Sequence, residues 1–301
     1  MITAAIPTKN RPVDLEHAVA SVCAQSRRPD ELLVIDQSAD ETSRERVDRV
    51  VAATGAGLEL IYVRDPAIAG LVAAKKAAVA RARGDIICFL EDDVVLERDY
   101  LRSIEGGFTR HPQMMGCCGV VTNLPPLPRG YVRMFHFFHR GIFRDSRVGV
   151  HGTARGLDLP LIPSNYLSGG LSAYRREVFD AVPFDLDNDF FMLEDIDFST
   201  RAAQRFGERF FINANARLEH RMSPLNRAVL GTRQRRKLRE FLVFYKKRRH
   251  VAGAGASLVL LLVGLLLEAG YQAVQARRLS PFAGYFLGLR DGLRWQLARE
   301  P

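Results

Sequence analysis

Short apolar runs alternate with helix-period segments along the N-terminal part of the chain. Ile2–Ile6 reads as a strand, and Val13–Gln25 has helical spacing after Pro12. Glu31–Asp36 (ELLVID) is a second strand and Glu41–Ala53 a second helix. Leu58–Val63 and Ala69–Ala82 repeat the pair, and Asp85–Leu90 (DIICFL) is a fourth strand that runs into Glu91-Asp92-Asp93. This alternation predicts an α/β fold: a mostly parallel, Rossmann-like sheet with helices on both faces. In such sheets ligands bind beyond the carboxyl ends of the strands, so polar residues at those ends are the functional candidates.

The pattern breaks at Asn123–Pro163, which is rich in Pro, Gly, Arg, His and aromatics and has no clear period. A connection this long predicts a functional loop or excursion. Within it, Tyr131–Phe143 (YVRMFHFFHRGIF) leaves two readings open: a cover over an acceptor site or membrane interface, or a packed helix. Order returns at Leu167-Ser168-Gly169-Gly170, followed by a helix at Asp195–Phe206 and a strand at Arg209–Asn213.

The C-terminal third changes character. Val251–Leu267 is 17 residues without a charge. At 1.5 Å per residue it spans roughly 25 Å, a little short of a hydrocarbon core. Glu268 interrupts it before Ala269–Ala276, and basic residues stand on both sides: Lys246-Lys247-Arg248-Arg249 and Arg277-Arg278. One crossing cannot keep both flanks in the cytosol, so a re-entrant hairpin or an in-plane helix is expected. Farther on, Phe282, Phe286, Leu289, Leu293 and Leu297 share one helical face, with Arg290, Arg294 and Trp295 beside it. A buried helical hairpin or an oligomer contact is the competing reading.

Composition supports a folded enzyme-sized chain. The 301 residues suffice for one large α/β domain or two small ones, and 47% are hydrophobic. None of Cys23, Cys88, Cys117 and Cys118 forms a CxxC pair, and three lie in apolar runs, which predicts buried reduced thiols and a cytosolic catalytic part. The opening residues read as a strand and not as a signal peptide. Net charge is +9. Gly231–His250 carries nine Lys or Arg against one Glu, a local net of +8. Because this basic run leads straight into an apolar one and no nucleic-acid motif is present, an anionic membrane surface is the expected partner.

Candidate chemistry sits at the strand ends: Pro7-Thr8-Lys9-Asn10-Arg11, Asp36, Glu91-Asp92-Asp93, and Glu194-Asp195 at the head of the later helix. Neither a dinucleotide glycine fingerprint nor a P-loop is present. Three adjacent carboxylates repel one another, and a hard divalent cation, Mg2+ or Mn2+, removes the conflict. A solvated acidic turn is the plain alternative, and its place at the end of an apolar strand counts against it.

Together these stretches resemble family 2 glycosyltransferases of the GT-A fold, inverting transferases of bacterial surface-glycan assembly. The resemblance rests on Ile6–Arg11, Asp36 after ELLVI, Gly84–Asp93, Leu167–Gly170 with Ala173–Phe179, and Glu194-Asp195-Ile196-Asp197-Phe198 with Arg201 and Gly207. It covers roughly Met1 to Met222. It implies a catalytic domain over 1–222, with a nucleotide-sugar half (1–122) and an acceptor half (123–222), and a membrane-associating region over 223–301. It further implies a nucleotide diphosphate sugar donor and a glycan or polyprenyl-linked acceptor at the cytoplasmic face. Pro7, Thr8, Asn10, Arg11 and Asp36 would meet the nucleotide, and Gly70 and Lys75 would lie near the diphosphate. Asp92 would touch ribose or metal-bound water, Gly169 and Gly170 would line the substrate, and Asp93 would hold the metal. Glu91 replaces the more usual Asp, a change expected to matter little.

Asp195 is then the general base, with Glu194 the less favoured candidate. Repulsion from Glu194 would raise the Asp195 pKa. Helix capping by the pair is compatible with that role. His220 would complete the metal site, which would favour Mn2+ over Mg2+. Two other readings remain: a metal-dependent nucleotidyltransferase, which would want a glycine-rich loop after the first strand, and a non-catalytic nucleotide-sugar-binding membrane scaffold, which would not need Asp93 and Asp195. The absence of a Gln-x-x-Arg-Trp signature weighs against a processive synthase.

Overall fold

The computed structural model describes residues 1–54, 57–150, 161–186, 193–223 and 229–295. Among these, nine strands form one sheet: β1 (Ile2–Thr8), β2 (Glu31–Asp36), β3 (Glu59–Arg64), β4 (Ile86–Leu90), β5 (Val94–Leu96), β6 (Gly116–Val121), β7 (Leu161–Pro163), β8 (Leu171–Arg175) and β9 (Phe210–His220). Helices α1 (Pro12–Cys23), α2 (Thr42–Thr54), α3 (Leu71–Arg81), α4 (Tyr100–Arg110), α6 (Arg176–Ala181) and α7 (Glu194–Phe206) belong with it. A second set comprises α5 (Arg129–Phe138), α8 (Leu230–Arg248), α9 (Ala254–Ala276) and α10 (Ser280–Arg294).

The strand order is β3-β2-β1-β4-β8-β6-β9-β5, with β7 also paired to β9. The expected parallel arrangement holds for β3, β2, β1 and β4. Beyond β4 the sheet is mixed: β8 runs antiparallel to both β4 and β6, while β6 and β9 are parallel. All seven residues of β1 are buried. That is the signature of a central strand covered on both faces, and it explains a run of apolar residues without alternation. Proline pre-sets φ at the start of α1, where Pro12 occupies the first turn. A buried aromatic group of Phe89, Tyr174, Phe179 and Phe198 packs α6 and α7 on the sheet, with Phe179 and Phe198 stacked at 5.4 Å.

Two differences from the sequence reading matter. The strand expected over Arg209–Asn213 continues to His220, because β5 pairs with its far end. The long excursion is not structureless. It contains α5, a 3-10 turn at Gly141–Phe143 and β7, which pairs with β9. The helix is one of the two readings left open for Tyr131–Phe143, and Tyr131, Phe135 and Phe138 share one of its faces, opposite Arg129 and Arg133. Residues 151–160 of the excursion, and Leu297 of the C-terminal apolar face, lie outside the described residues.

The chain divides into two compact units. The first is Met1–Pro126, Gly149–Leu186 and Glu194–Leu225; the second is Leu127–Val148, Asp187–Leu193 and Asn226–Pro301. The second therefore takes in part of the excursion as well as the C-terminal third. Its helices α8 and α10 approach closely through Gly284, Gly288 and Gly292, spaced four apart, where a Cβ would strike Gly231, Arg235 or Leu242. α9 is long and apolar enough to cross a membrane by length and composition.

His139 is a buried titratable group of this second unit, 8% exposed. Its Nδ1–H donates to the Phe135 carbonyl at 3.1 Å, and its ring stacks on Phe135 at 3.7 Å. Burial, helped by the Lys237 charge, pushes its pKa down to about 4. An unfolded histidine titrates near 6.5, so the unfolded state binds the extra proton first as pH falls. The stabilising effect of a neutral His139 is complete above about pH 6.5 and is lost as pH drops toward about 4. That loss amounts to roughly 3 kcal/mol. Denaturant unfolding of His139→Asn at pH 7 and pH 4.5 should show a shallower pH dependence than the wild type; equal slopes would rule out this account.

Candidate active site

The parallel register of β1, β2 and β4 places their carboxyl ends on one edge of the sheet. Thr8 pairs with Asp36 there, and β4 delivers Glu91, Asp92 and Asp93 directly after Leu90. Asp92 and Asp93 are buried, at 6% and 3% exposed, which makes compensation of their charge obligatory. Each member of the triplet has its own partners. Asp92 accepts from Thr8 Oγ1 at 2.8 Å and from Arg11 at 2.9 Å. Asp93 Oδ2 accepts the Ser223 N–H at 3.0 Å and faces Arg11 at 3.5 Å. Burial raises the Asp92 pKa, with Arg11 and Thr8 opposing it. Burial also acts to raise that of Asp93, but His220, Ser223 and Arg11 outweigh it and hold this carboxyl below its usual range. Asp93 is thus the firmly charged member of the pair.

His220 arrives through strand pairing. Val94 of β5 lies opposite His220 of β9, so the imidazole sits beside the carboxylate that precedes Val94. Asn123 clamps its backbone, accepting the His220 N–H and donating to the His220 carbonyl, both at 3.0 Å. Arg221 N–H donates to the Asp93 carbonyl at 2.8 Å, and Met222 takes φ of 52° to turn the Ser223 N–H onto Asp93. A non-glycine residue in the left-handed region carries strain that its surroundings must hold. Here the chain is held by two hydrogen bonds to one residue.

The outcome is a donor set of Glu91, Asp93 and His220, whose ligating atoms all lie within 4.8 Å of one another. His220 Nε2 stands 3.1 Å from both Glu91 Oε2 and Asp93 Oδ1. Cis ligands on an octahedral cation with bonds of about 2.1 Å stand about 3 Å apart, so the set fits a divalent ion. Two carboxylate oxygens and an imidazole are also acceptable donors for Mn2+. Asp92, with both oxygens engaged by Thr8 and Arg11, stands outside the set. Glu91 enters it, a role that sequence spacing did not assign.

Glu194 and Asp195 open α7. Lys75 of α3 meets Glu194 Oε1 at 2.5 Å and donates to the Gly169 carbonyl at 2.9 Å, with only 4% of its side chain exposed. Lys75 thus bridges Glu194 and the Gly169 carbonyl, and the Glu194 charge is paired. The Asp195 carboxylate accepts the Ile196 N–H at 2.8 Å and lies 3.4 Å from the Gly169 N–H.

Gly169 and Gly170 connect the two acidic groups. A Cβ on Gly169 would strike the Glu194 carboxylate and come within 2.8 Å of Lys75 Nζ; one on Gly170 would strike the Glu91 side chain. The Glu91 N–H donates to the Gly170 carbonyl at 2.9 Å, which extends the β4–β8 ladder to the acidic triplet. Only glycine permits so close an approach on both sides.

The remaining candidates form a hydrogen-bonded rim. Pro7 and Thr8 end β1, and Asn10, at φ of 54°, donates its N–H to Ser38 Oγ at 2.8 Å. Ser38 N–H donates in turn to Asp36 Oδ1 at 2.8 Å, while Tyr62 OH donates to Asp36 Oδ2 at 2.6 Å. Asp36 is fully buried and acts here by ordering the loop above it. Gln37 N–H donates to the Thr8 carbonyl, and Gln37 Oε1 accepts the Gly70 N–H, each at 3.0 Å. Gly70, at φ of 87°, opens α3. A shallow cavity of about 690 Å³ around Gln25–Asp30 and Arg98 borders the amino ends of β1 and β2, on the opposite edge.

Comparison with solved structures finds the same fold in proteins of low identity. The mannosyltransferase PcManGT from Pyrobaculum calidifontis, solved with GDP-Man and Mn2+, is 16% identical with a TM-score of 0.63, over 97% of this chain and 87% of that one. S. aureus TarS 1-349 in complex with UDP-GlcNAc is 14% identical with a TM-score of 0.61, over 97% and 80%. GalNAc-T7, solved with UDP, GalNAc and Mn2+, is 16% identical with a TM-score of 0.57, over 73% of this chain but 43% of that one. At these identities the likeness concerns the GT-A architecture alone. No curated protein matches the sequence. The family model described as glycosyl transferase family 2 matches residues 3–182, which contain β1 from its second residue, β2 to β4, the acidic triplet and the glycine pair. With more than half of its length under that match, the chain belongs to glycosyl transferase family 2.

Proposed function

We propose that this glycosyltransferase transfers a sugar, with inversion, from a nucleotide diphosphate donor to a hydroxyl of a glycan or polyprenyl-linked acceptor at the cytoplasmic face of the membrane. The observation that carries the reading is the glycine pair. Consecutive Cα atoms are 3.8 Å apart, so Gly169 against Asp195 and Gly170 against Glu91 put a base and a cation-binding set within one sugar's reach. PcManGT was solved with GDP-Man and TarS with UDP-GlcNAc, which supports a nucleotide diphosphate sugar as donor here.

Pro7, Thr8, Asn10, Arg11 and Gly70 form the donor's nucleotide wall, and Asp36 holds that wall through Ser38. A divalent cation on Glu91, Asp93 and His220 would neutralise the departing diphosphate, with Mn2+ favoured by the imidazole ligand. Asp92 keeps Arg11 and Thr8 in place beside it. Asp195 takes the proton of the acceptor hydroxyl as its oxygen bonds to the anomeric carbon and the carbon–oxygen bond to the diphosphate breaks. Glu194 is a positioning residue: paired with Lys75, it anchors the first turn of α7 and leaves Asp195 as the base. The catalytic part is 1–222, and 223–301 associates with the membrane. The apolar α9 and the basic Lys246–Arg249 before it support that association.

Purified protein should release one nucleotide from a panel of UDP-, GDP- and dTDP-sugars slowly, with Mn2+ above Mg2+ and no release in EDTA. Asp93→Asn should lower that rate by about 100-fold or more, and Glu91→Gln by roughly 10-fold or more, since it removes one of three donors. Donor binding by the wild type without release in any metal would leave only the scaffold reading.

Asp195→Asn should cut transfer by about 100-fold or more while donor affinity stays within a few-fold. Lys75→Met removes a cation from the acidic side of the site, so the acid limb of the pH–rate profile should move to higher pH. It should also cost about 3–5 kcal/mol of stability by stranding Glu194. Unchanged transfer by Asp195→Asn would exclude it as the base.

A further inference from the structure

α9 is apolar on its outer face as well as on its inner one, where Leu261, Leu265, Ala269 and Ala273 are buried. Val259, Val263, Leu267, Tyr271 and Val274 are all exposed, from 46% at Val263 to 75% at Val274. Steps of four and three residues place them on one face, a stripe of roughly 22 Å at 1.5 Å per residue. Three of its polar residues point the other way, while Gln275 is exposed. Ser257 is buried and bonds the Gly253 carbonyl; Glu268 is paired with Lys237 of α8 at 2.6 Å; Gln272 donates to Glu268 at 3.0 Å. A helix bathed in water is polar on its outer face.

The inner face is held along its length. Phe138 of α5 fits against Gly264, Tyr285 OH of α10 donates to the Leu262 carbonyl at 3.0 Å, and Phe282 lies against Gly270. Ser257 meets Gly141 of the 3-10 turn. These neighbours carry many charges; Arg233, Arg235 and Arg236 on α8 are exposed. Were α9 to cross a bilayer, it would drag them into hydrocarbon, where each such charge is heavily penalised.

We infer that α9 lies in the plane of an anionic bilayer, its Val259–Val274 face sunk to the headgroup–acyl boundary and its two basic ends on lipid phosphates. This rests on the reading that 223–301 associates with the membrane, and adds which face does so, at what depth and with which lipid charge. Arg249 before the helix and Arg277 and Arg278 after it are exposed, so both ends present cations. Anionic headgroups complement both ends at once, which an apolar protein partner does not.

Flotation of the full chain with vesicles of phosphatidylcholine and phosphatidylglycerol in equal parts, and of phosphatidylcholine alone, tests the surface. Depth is read in a Trp295→Phe background, which removes the single Trp of the chain. Val259→Trp, Leu267→Trp and Val274→Trp then each report quenching by lipids brominated at shallow or deep acyl positions. Binding should need the anionic lipid. Val263→Glu with Leu267→Glu should weaken it by about tenfold or more, and Arg277→Glu with Arg278→Glu by about fivefold per charge. The three reporters should be quenched alike by shallow bromines. Flotation with Leu267→Trp quenched only by deep bromines would mean a spanning helix and overturn the in-plane geometry while leaving membrane association intact. No flotation, with a dimer by light scattering that the two glutamates split, would overturn both and give the face to a second copy of the chain.

Discussion

Three carboxylates in succession at the end of a buried strand are an electrostatic conflict, and the site is organised by its resolution. Coulomb repulsion between neighbouring charges grows as the dielectric falls, so Glu91, Asp92 and Asp93 cannot share a strand end without cations or donors. The fold supplies them from separate places: Arg11 and Thr8 from the β1 end, His220 from β9, Ser223 from the turn beyond it. Each compensating group fixes a loop. The arrangement also sorts the carboxylates, since Asp92 is occupied by protein donors while Glu91 and Asp93 converge on His220. A cation that joins them replaces repulsion with coordination, so metal affinity and local order depend on the same charges.

A similar division separates Glu194 from Asp195. Two adjacent acids at a helix start are both favoured by the helix dipole, and nothing in their sequence distinguishes them. Lys75 does. Its buried ion pair with Glu194 removes one charge from the contest and leaves Asp195 facing the glycine pair. Breaking a buried pair is costly even where forming it gains little, so Glu194 and Lys75 act as a rigid strut more than as a source of stability. A general base benefits from that rigidity, because its reach to a hydroxyl is a matter of tenths of an ångström.

The parallel half of the sheet was legible in the sequence because each strand there is a short apolar run closed by a polar residue, and Thr8, Asp36 and Glu91–Asp93 fall on one edge by topology alone. What lay beyond local pattern was pairing between distant segments. His220 reaches Asp93 only through the β5–β9 register, and β5 is three residues long, too short to announce itself. The Lys75–Glu194 pair is equally illegible locally, since its members are 119 positions apart. Glu91 was discounted as a stand-in for Asp, yet its longer side chain brings an oxygen to His220.

Hydropathy could not orient α9 for a related reason. When nearly every residue is apolar, the periodic signal that normally separates inside from outside is weak, and few polar residues mark a side. In the folded chain Ser257 bonds the Gly253 carbonyl, Glu268 pairs with Lys237 and Gln272 donates to Glu268, while Gln275 is exposed. Turning the helix over would bury five apolar side chains, each worth about 1.5–3 kcal/mol, but would expose Leu261 and Leu265, which the present orientation buries. Both faces of α9 are thus apolar, and the outer one is the face that the proposed membrane association would cover. Glu268 makes the argument sharper: its partner Lys237 is on α8, so the one acid of α9 holds the inner face against the protein and leaves the outer face without a charge.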